Sequence, residues 1–217
     1  MNATERLTEI NTRIVRAAKL AGRAEGSVTL IAVSKTHGPD QVRPLLEAGH
    51  RDFGENRVQE AAGKWPELKA EFPDVRLHLI GQLQSNKAAD AAALFDTIHS
   101  LDRPSLLSAL ARLPMAPPVF VQVNIGDEPQ KGGCALLDLP AFLTATREAN
   151  LDLRGLMAVP PEGIEPAPFF ALLGKLARDH GLGGLSMGMS SDFETAIMLG
   201  ATHIRVGSAL FGERAAA

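Results

Sequence analysis

The start of the chain alternates between apolar and charged positions with the period of an α-helix. Between Thr4 and Ala21 the apolar positions recur every three or four residues, at Leu7, Ile10, Ile14, Ala17, Ala18 and Ala21. Arginine, lysine and glutamate occupy the positions between them. Because residues three and four apart share one face of a helix, this pattern predicts an amphipathic helix with one buried stripe.

Beyond this segment, short apolar runs alternate with longer amphipathic stretches. The first run, Val28–Val33, is rich in β-branched residues and too short for a buried helix, so it predicts a buried strand. Seven more strand-like runs follow, near 51–56, 76–82, 97–102, 118–124, 153–159, 185–190 and 203–208. Helix-like stretches separate them, near 40–48, 57–70, 86–95, 104–112, 136–149, 167–180 and 191–199.

This alternation predicts the fold class. Strands separated by helices of this length indicate βαβ units and a parallel sheet. Eight units favour closure, so we predict an α/β protein: a single (β/α)8 TIM-type barrel with an extra N-terminal helix. An open doubly wound sheet is the alternative, since a weak strand such as 97–102 could be miscounted. No linker or low-complexity tract divides the sequence, so we expect residues 1–217 to form one domain.

Composition narrows the classes of partner. Lys+Arg 22 against Asp+Glu 25 gives a net charge of −3, which offers no general attraction for nucleic acid or anionic lipid. No apolar run approaches the roughly 18 residues of a membrane span, and the first ten residues carry charge where a secretory signal would be apolar. With a single cysteine and scattered histidines, we expect a cytoplasmic, metal-free protein. The absence of an apolar dimer stripe favours a monomer.

Candidate chemistry lies where the predicted strands end, because the carboxyl ends of barrel strands carry the functional groups. Lys35 follows the first strand and shares its face with Ile31 and Val33. By itself, a lysine at this position is most often a solvated strand end.

The run near 185–190 alternates bulky residues with the small residues Ser186, Gly188 and Ser190. We therefore expect a small, hydroxylic face that leaves space inside the barrel mouth. Helix capping is the alternative role for Ser190, and the following Ser191–Glu194 fits a capping box.

The last strand adds a cation. His203, Arg205 and Gly207 share one face, and the turn Gly207–Ser208 exposes backbone amides where such barrels often bind phosphate. A structural ion pair is an equal alternative for Arg205. Together with Lys35 these groups suggest a phosphorylated aldehyde as ligand: the lysine captures its carbonyl as a Schiff base, and the amides hold its phosphate.

At these residues the sequence closely resembles the pyridoxal phosphate homeostasis protein family, the YggS/PROSC group. The matching segments cover almost the whole chain in the family's order: LIAVSKT (30–36), FGENRVQE (53–60), HLIGQLQSNK (78–87), VQVNIGDEPQKGG (121–133), LRGLMAVP (153–160), LSMGMSSDFETAI (185–197) and THIRVGSALFGER (202–214). One departure is Gln82, which stands where the family usually has proline.

The resemblance implies a fold like the N-terminal barrel domain of alanine racemase, with pyridoxal 5′-phosphate bound at the strand ends and Lys35 as the Schiff-base lysine. It implies that Asn56 lies near the cofactor ring and that Arg205 approaches the pyridine nitrogen. It also implies that four residues surround the phosphate: Ser186, Ser190, Gly207 and Ser208. Which of the two strand-seven serines lies closer stays open.

Two functions of different classes fit these residues. The first is a carrier that holds pyridoxal phosphate reversibly, without substantial turnover, and contacts pyridoxal-phosphate-dependent apoenzymes transiently. The second is a fold-type III enzyme, an amino-acid racemase or lyase. Racemisation on this scaffold usually uses a tyrosine base from an added domain, and the chain contains no tyrosine and leaves no residues for such a domain. An arginine at the ring nitrogen also makes the ring a poorer electron sink. We therefore favour the carrier.

Overall fold

The computed structural model describes residues 2–212. Within this range eight strands form one parallel sheet: β1 (Thr29–Val33), β2 (Asp52–Glu55), β3 (Arg76–Leu79), β4 (Thr97–Leu101), β5 (Val119–Gln122), β6 (Leu153–Met157), β7 (Gly184–Ser186) and β8 (His203–Val206).

The sheet closes on itself. Strand β1 pairs with β2 on one side and with β8 on the other, where Thr29 lies opposite His203 and Ala32 opposite Val206. This pairing confirms the predicted (β/α)8 barrel and excludes the open doubly wound sheet. The weak strand near 97–102 is real, although its register with β5 shifts between Ile98 and Leu101.

Helices cover the outside of the barrel. Within the described range they are α1 (Ala3–Leu20), α2 (Pro39–Glu47), α3 (Val58–Glu71), α4 (Ala88–Leu94), α5 (Pro104–Ala111), α6 (Leu139–Glu148), α7 (Ala167–Asp179), α8 (Phe193–Met198) and α9 (Ser208–Phe211), with a 3₁₀ turn at Ser85–Lys87. None of these helices is long and apolar enough to cross a membrane.

The extra N-terminal helix is confirmed and packs against α8 and α9. Its predicted apolar stripe is buried from Leu7 to Ala18. Asn2 and Glu5 form a capping box at its start, and Arg13 makes a bidentate ion pair with Glu194 of α8. Hydrophobic burial and this ion pair together attach α1 to α8 and α9, the helices that precede and follow β8.

The molecule has two interior regions of different character. The outward strand faces and the helices form a continuous apolar core, with Trp65, Phe53 and Phe170 among its largest members. The inward strand faces are more polar, and they bury histidine, serine and arginine side chains beside Ile31 and Phe120. Since buried polar groups must be hydrogen-bonded, this inner region constrains the geometry of the strand ends.

Two predictions near 185–197 are wrong. Strand β7 ends at Ser186, and Gly188 adopts a φ of +93°; a Cβ added there would lie 2.6 Å from that of Ala196. Gly188 therefore faces helix α8 and not the barrel interior, because the two-residue period ends with the strand. The predicted capping box at Ser191 is also absent: Asp192 occupies the N-cap of α8 and accepts a hydrogen bond from the Met189 amide.

Candidate functional site at the barrel mouth

Lys35 lies at the C-terminal mouth of the barrel, two residues beyond the end of β1. It is partly buried, and its ammonium has no hydrogen-bond or ion-pair partner within residues 2–212. The next residue, Thr36, has a φ of +67°, which is uncommon for a β-branched residue. Its amide donates to the Glu60 carboxylate at the start of α3. The lysine is thus presented on a strained, anchored turn with its amine free.

A buried ion pair anchors this lysine turn (residues 34–37). Glu55 Oε1 accepts a hydrogen bond from Ser34 Oγ at 2.6 Å and pairs with Lys64 Nζ at 2.6 Å. Lys64 Nζ also donates to the carbonyl oxygens of Ser34 and His37, at 2.8 and 2.9 Å. Removing one partner of a buried pair typically costs about 3–5 kcal/mol, so the turn is held firmly.

The turn Gly207–Ser208 lies beside the end of β1, just before the lysine turn. A Cβ added at Gly207 would be 3.4 Å from the carbonyl oxygen of Val33, two residues before Lys35. Ser190 Oγ accepts hydrogen bonds from the Gly207 amide at 3.3 Å and from the Ala209 amide at 3.4 Å. The structure thus brings together a free amine, a hydroxyl and a set of backbone donors.

Ser186 and Arg205 lie deeper in the barrel. Ser186 is fully buried, and its hydroxyl contacts His99 Nδ1 at 2.9 Å and Arg205 Nη1 at 2.8 Å. Arg205 Nη2 donates to the carbonyl oxygen of Ala158 at 2.9 Å. Ser190, and not Ser186, is therefore the serine that contacts the Gly207 turn.

Arg205 is a buried cation without a carboxylate partner. The alternative of a structural ion pair is not seen within residues 2–212. Burial lowers the pKa of Arg205 to about 10, and the nearby charge of Asp192 offsets part of this effect. The guanidinium remains positively charged at neutral pH.

A cavity of about 390 Å³ opens at the mouth, on the side where β2, β3, β5 and β6 end. Asn56, at the end of β2, lines it together with Gln82, Gln122, Lys131 and Met157. Gln82 Nε2 donates to Gln122 Oε1 at 2.8 Å, which joins the segment after β3 to the end of β5. Lys35, Ser190 and Gly207 lie on the other side of the mouth, at the ends of β1, β7 and β8.

Sequence reasoning missed two residues that line this cavity, Gln122 and Met157. Each is the last residue of its strand, and each is buried. Side chains alternate between the two faces of a strand, and this alternation places both residues on the inward face. It is the signal by which the sequence could have identified them.

The opposite end of the barrel has a larger cavity, of about 580 Å³, lined by Asp52, His78, Phe120 and His203 among others. His78 is buried and lies within hydrogen-bonding distance of Asp52 and His99. The two ends of the barrel are therefore separated by a layer of hydrogen-bonded polar side chains.

The chain is similar to known proteins over almost its whole length. The sequence model of the family described as the alanine racemase N-terminal domain matches residues 9–215. The pyridoxal phosphate homeostasis protein of Pseudomonas aeruginosa is 47% identical over 220 residues, covering 97% of this chain and 95% of that protein. The chain belongs to the pyridoxal phosphate homeostasis protein family.

Solved structures agree with membership of the pyridoxal phosphate homeostasis protein family. PipY of Synechococcus elongatus PCC7942 is 39% identical, and the match covers 97% of this chain and 100% of PipY. The TM-score is 0.82 to the structure without pyridoxal phosphate and 0.80 to the one with it bound. Alanine racemase of Corynebacterium glutamicum, 22% identical with a TM-score of 0.66, shares the fold; the match covers 95% of this chain and 61% of that enzyme.

The buried histidines predict how stability depends on pH. Burial lowers the pKa of His50, His99 and His203, the last to about 4. Below about pH 6.5 the unfolded chain binds protons that the folded chain does not. Stability should therefore fall as the pH drops from about 6.5 towards 4, by up to about 1.4 kcal/mol per pH unit for each histidine.

Urea unfolding across this range measures how steeply the free energy of unfolding changes with pH. His203→Asn should make this change less steep, because it removes one of the buried histidines. A free energy of unfolding that stays constant between neutral pH and about pH 5 would contradict this prediction.

Proposed function

We propose that this protein binds pyridoxal 5′-phosphate at the barrel mouth, holds it reversibly as a Schiff base on Lys35, and serves intracellular vitamin B6 homeostasis without substantial catalytic turnover. The observation that carries the proposal is the unpaired amine of Lys35 beside the Gly207–Ser208 turn. When bound, the cofactor supplies an aldehyde that condenses with an amine.

The chemistry of the donor set fits this cofactor. A Schiff base needs an amine that is not committed to an ion pair, and Lys35 meets this requirement because Glu55 is paired with Lys64 instead. A phosphate needs several N–H and O–H donors, which Ser190, Gly207 and Ser208 provide. PipY, which is 39% identical, has been solved with pyridoxal phosphate bound, and this supports the choice of cofactor.

We assign the phosphate to Ser190 with the Gly207–Ser208 turn. Ser190 Oγ accepts hydrogen bonds from the amides of Gly207 and Ala209, so a phosphate bound there would share these two donors with Ser190. The hydroxyl of Ser186 is committed to His99 and Arg205, and we propose that it supports Arg205. Asn56 lines the cavity where the ring would lie.

Arg205 supports the absence of substantial turnover. A guanidinium donates hydrogen bonds and does not accept a proton, so a pyridine nitrogen facing Arg205 stays unprotonated. The chain has no tyrosine to act as a second base. The alternative, a fold-type III racemase or lyase, lacks both a strong electron sink and that base. We further propose a cytoplasmic monomer of one domain whose transient partners are pyridoxal-phosphate-dependent apoenzymes, as the composition suggests.

The first test is the covalent adduct. Reduction of the loaded protein with borohydride should fix pyridoxal phosphate on Lys35, and Lys35→Ala should abolish the adduct without unfolding the domain. Lys131→Ala, which removes another lysine of the mouth, is the matched control and should retain it. Peptide mass mapping identifies the modified lysine, and an adduct that persists on a different lysine in Lys35→Ala would defeat the assignment.

The second test separates phosphate from ring contacts. Ser190→Ala and Ser208→Ala should weaken pyridoxal phosphate much more than pyridoxal, because each charge-assisted hydrogen bond contributes about 1.5–3 kcal/mol. Ser186→Ala should weaken the two ligands alike. Titration with both ligands measures the ratio of dissociation constants, and equal losses in the Ser190 and Ser208 variants would mean that the phosphate binds elsewhere.

A further inference from the structure

A continuous chain of hydrogen bonds crosses the barrel interior. Asp52 Oδ1 lies 3.1 Å from His78 Nε2, and His78 Nδ1 lies 3.0 Å from His99 Nε2. His99 Nδ1 lies 2.9 Å from Ser186 Oγ, which accepts from Arg205 Nη1 at 2.8 Å. All five residues of this interior chain are buried, and none is more than 8% exposed.

The direction of these hydrogen bonds is fixed at both ends. A carboxylate only accepts, and a guanidinium only donates. His78 therefore donates from Nε2 to Asp52 and accepts at Nδ1 from His99, which in turn accepts at Nδ1 from the Ser186 hydroxyl. The reverse direction would leave the Ser186 hydroxyl proton without an acceptor within residues 2–212. The two histidines are thus neutral, and each uses one donor and one acceptor.

The surroundings agree with charged ends and a neutral middle. Burial alone would raise the pKa of Asp52, but hydrogen bonds from His78 and Arg76 outweigh it and hold that pKa at about 2. Burial lowers the pKa of His99 well below its ordinary value, and the positive charge of Arg205 lowers it further.

This arrangement holds Arg205 without neutralising it. Its two engaged donors bind a hydroxyl and the Ala158 carbonyl oxygen, which are both uncharged acceptors. A carboxylate at the position of Ser186 would fix the guanidinium as firmly, but it would cancel its positive charge. The carboxylate stands instead three hydrogen bonds away from Ser186, at Asp52.

We propose that Asp52, His78, His99 and Ser186 are positioning residues, which fix the Arg205 guanidinium against the ring nitrogen of pyridoxal phosphate. The inference rests on the proposed function and assigns a role to side chains far from the lysine turn. Their effect on the ligand passes through one atom, the ring nitrogen.

An analogue that lacks this atom gives the test. Dissociation constants are measured for pyridoxal phosphate and for its 1-deaza analogue, whose ring nitrogen is replaced by C–H. The wild-type protein should favour pyridoxal phosphate. Ser186→Ala and His99→Phe should bring the ratio at least about fivefold closer to one, the effect of losing one hydrogen bond.

Two further variants control for packing. In His99→Asn the amide oxygen takes the place of Nδ1 as acceptor, so this variant should keep the preference for pyridoxal phosphate. Ser100→Ala alters an equally buried neighbouring serine whose hydroxyl has no partner in the described range, and it should leave the ratio unchanged.

Crystal structures of the ligand-free wild type and Ser186→Ala add a readout that does not need the cofactor. The guanidinium should leave the Ala158 carbonyl in the variant, and an unmoved guanidinium overturns the proposal. The proposal is also overturned if Ser186→Ala and His99→Phe lower the affinity for pyridoxal phosphate and for its 1-deaza analogue equally. It is overturned as well if the wild-type protein binds these two ligands with the same affinity. In that last case a retained Lys35 adduct leaves the proposed function intact, whereas loss of the adduct itself refutes the proposed function.

Discussion

A guanidinium enclosed in a barrel is the constraint on which the rest of the site depends. Removing Arg205 from water is costly, and burial lowers its pKa to about 10 without removing its charge at neutral pH. The protein compensates with neutral acceptors, Ser186 and the Ala158 carbonyl, and places the nearest carboxylate of the interior chain on the far side of two histidines. The inner region of the barrel must therefore be polar, and the apolar core lies outside the strands.

At the lysine turn, unlike at Arg205, a buried charge is paired directly with an opposite charge. Here the buried carboxylate of Glu55 pairs directly with Lys64, and this pair holds the backbone around Ser34. Within residues 2–212, Lys35 has no ion-pair partner. One lysine thus supplies structure so that the neighbouring one stays chemically available. The two serines also differ in their partners: Ser186 bonds to His99 and Arg205 inside the barrel, whereas Ser190 accepts from the amides of Gly207 and Ala209.

Much of this could be predicted from local patterns. The eight strands, the closed barrel and the N-terminal helix follow from hydrophobic periodicity, and the inward position of Arg205 follows from strand parity. Gly188 was misplaced because the two-residue period was extended past the end of a strand. Strand parity places Ser186 and Arg205 of the interior chain on the inward face, but the hydrogen bonds between its members have no local signal. Its residues come from four strands, β2, β3, β4 and β7, together with Arg205 on β8, and only closure of the barrel brings them together.

In the proposed function, a fixed, charged Arg205 makes this barrel a holder of its ligand and not a catalyst. The most direct measurement is the exchange of the α-proton of alanine with solvent deuterium, compared per bound cofactor in the wild type and in Arg205→Glu. Arg205→Gln controls for loss of the cation alone. We expect faster exchange in Arg205→Glu, because a carboxylate permits protonation of the ring nitrogen, and each 1.4 kcal/mol of added transition-state stabilisation raises the rate about tenfold. Equal rates in the wild type and Arg205→Glu would contradict it.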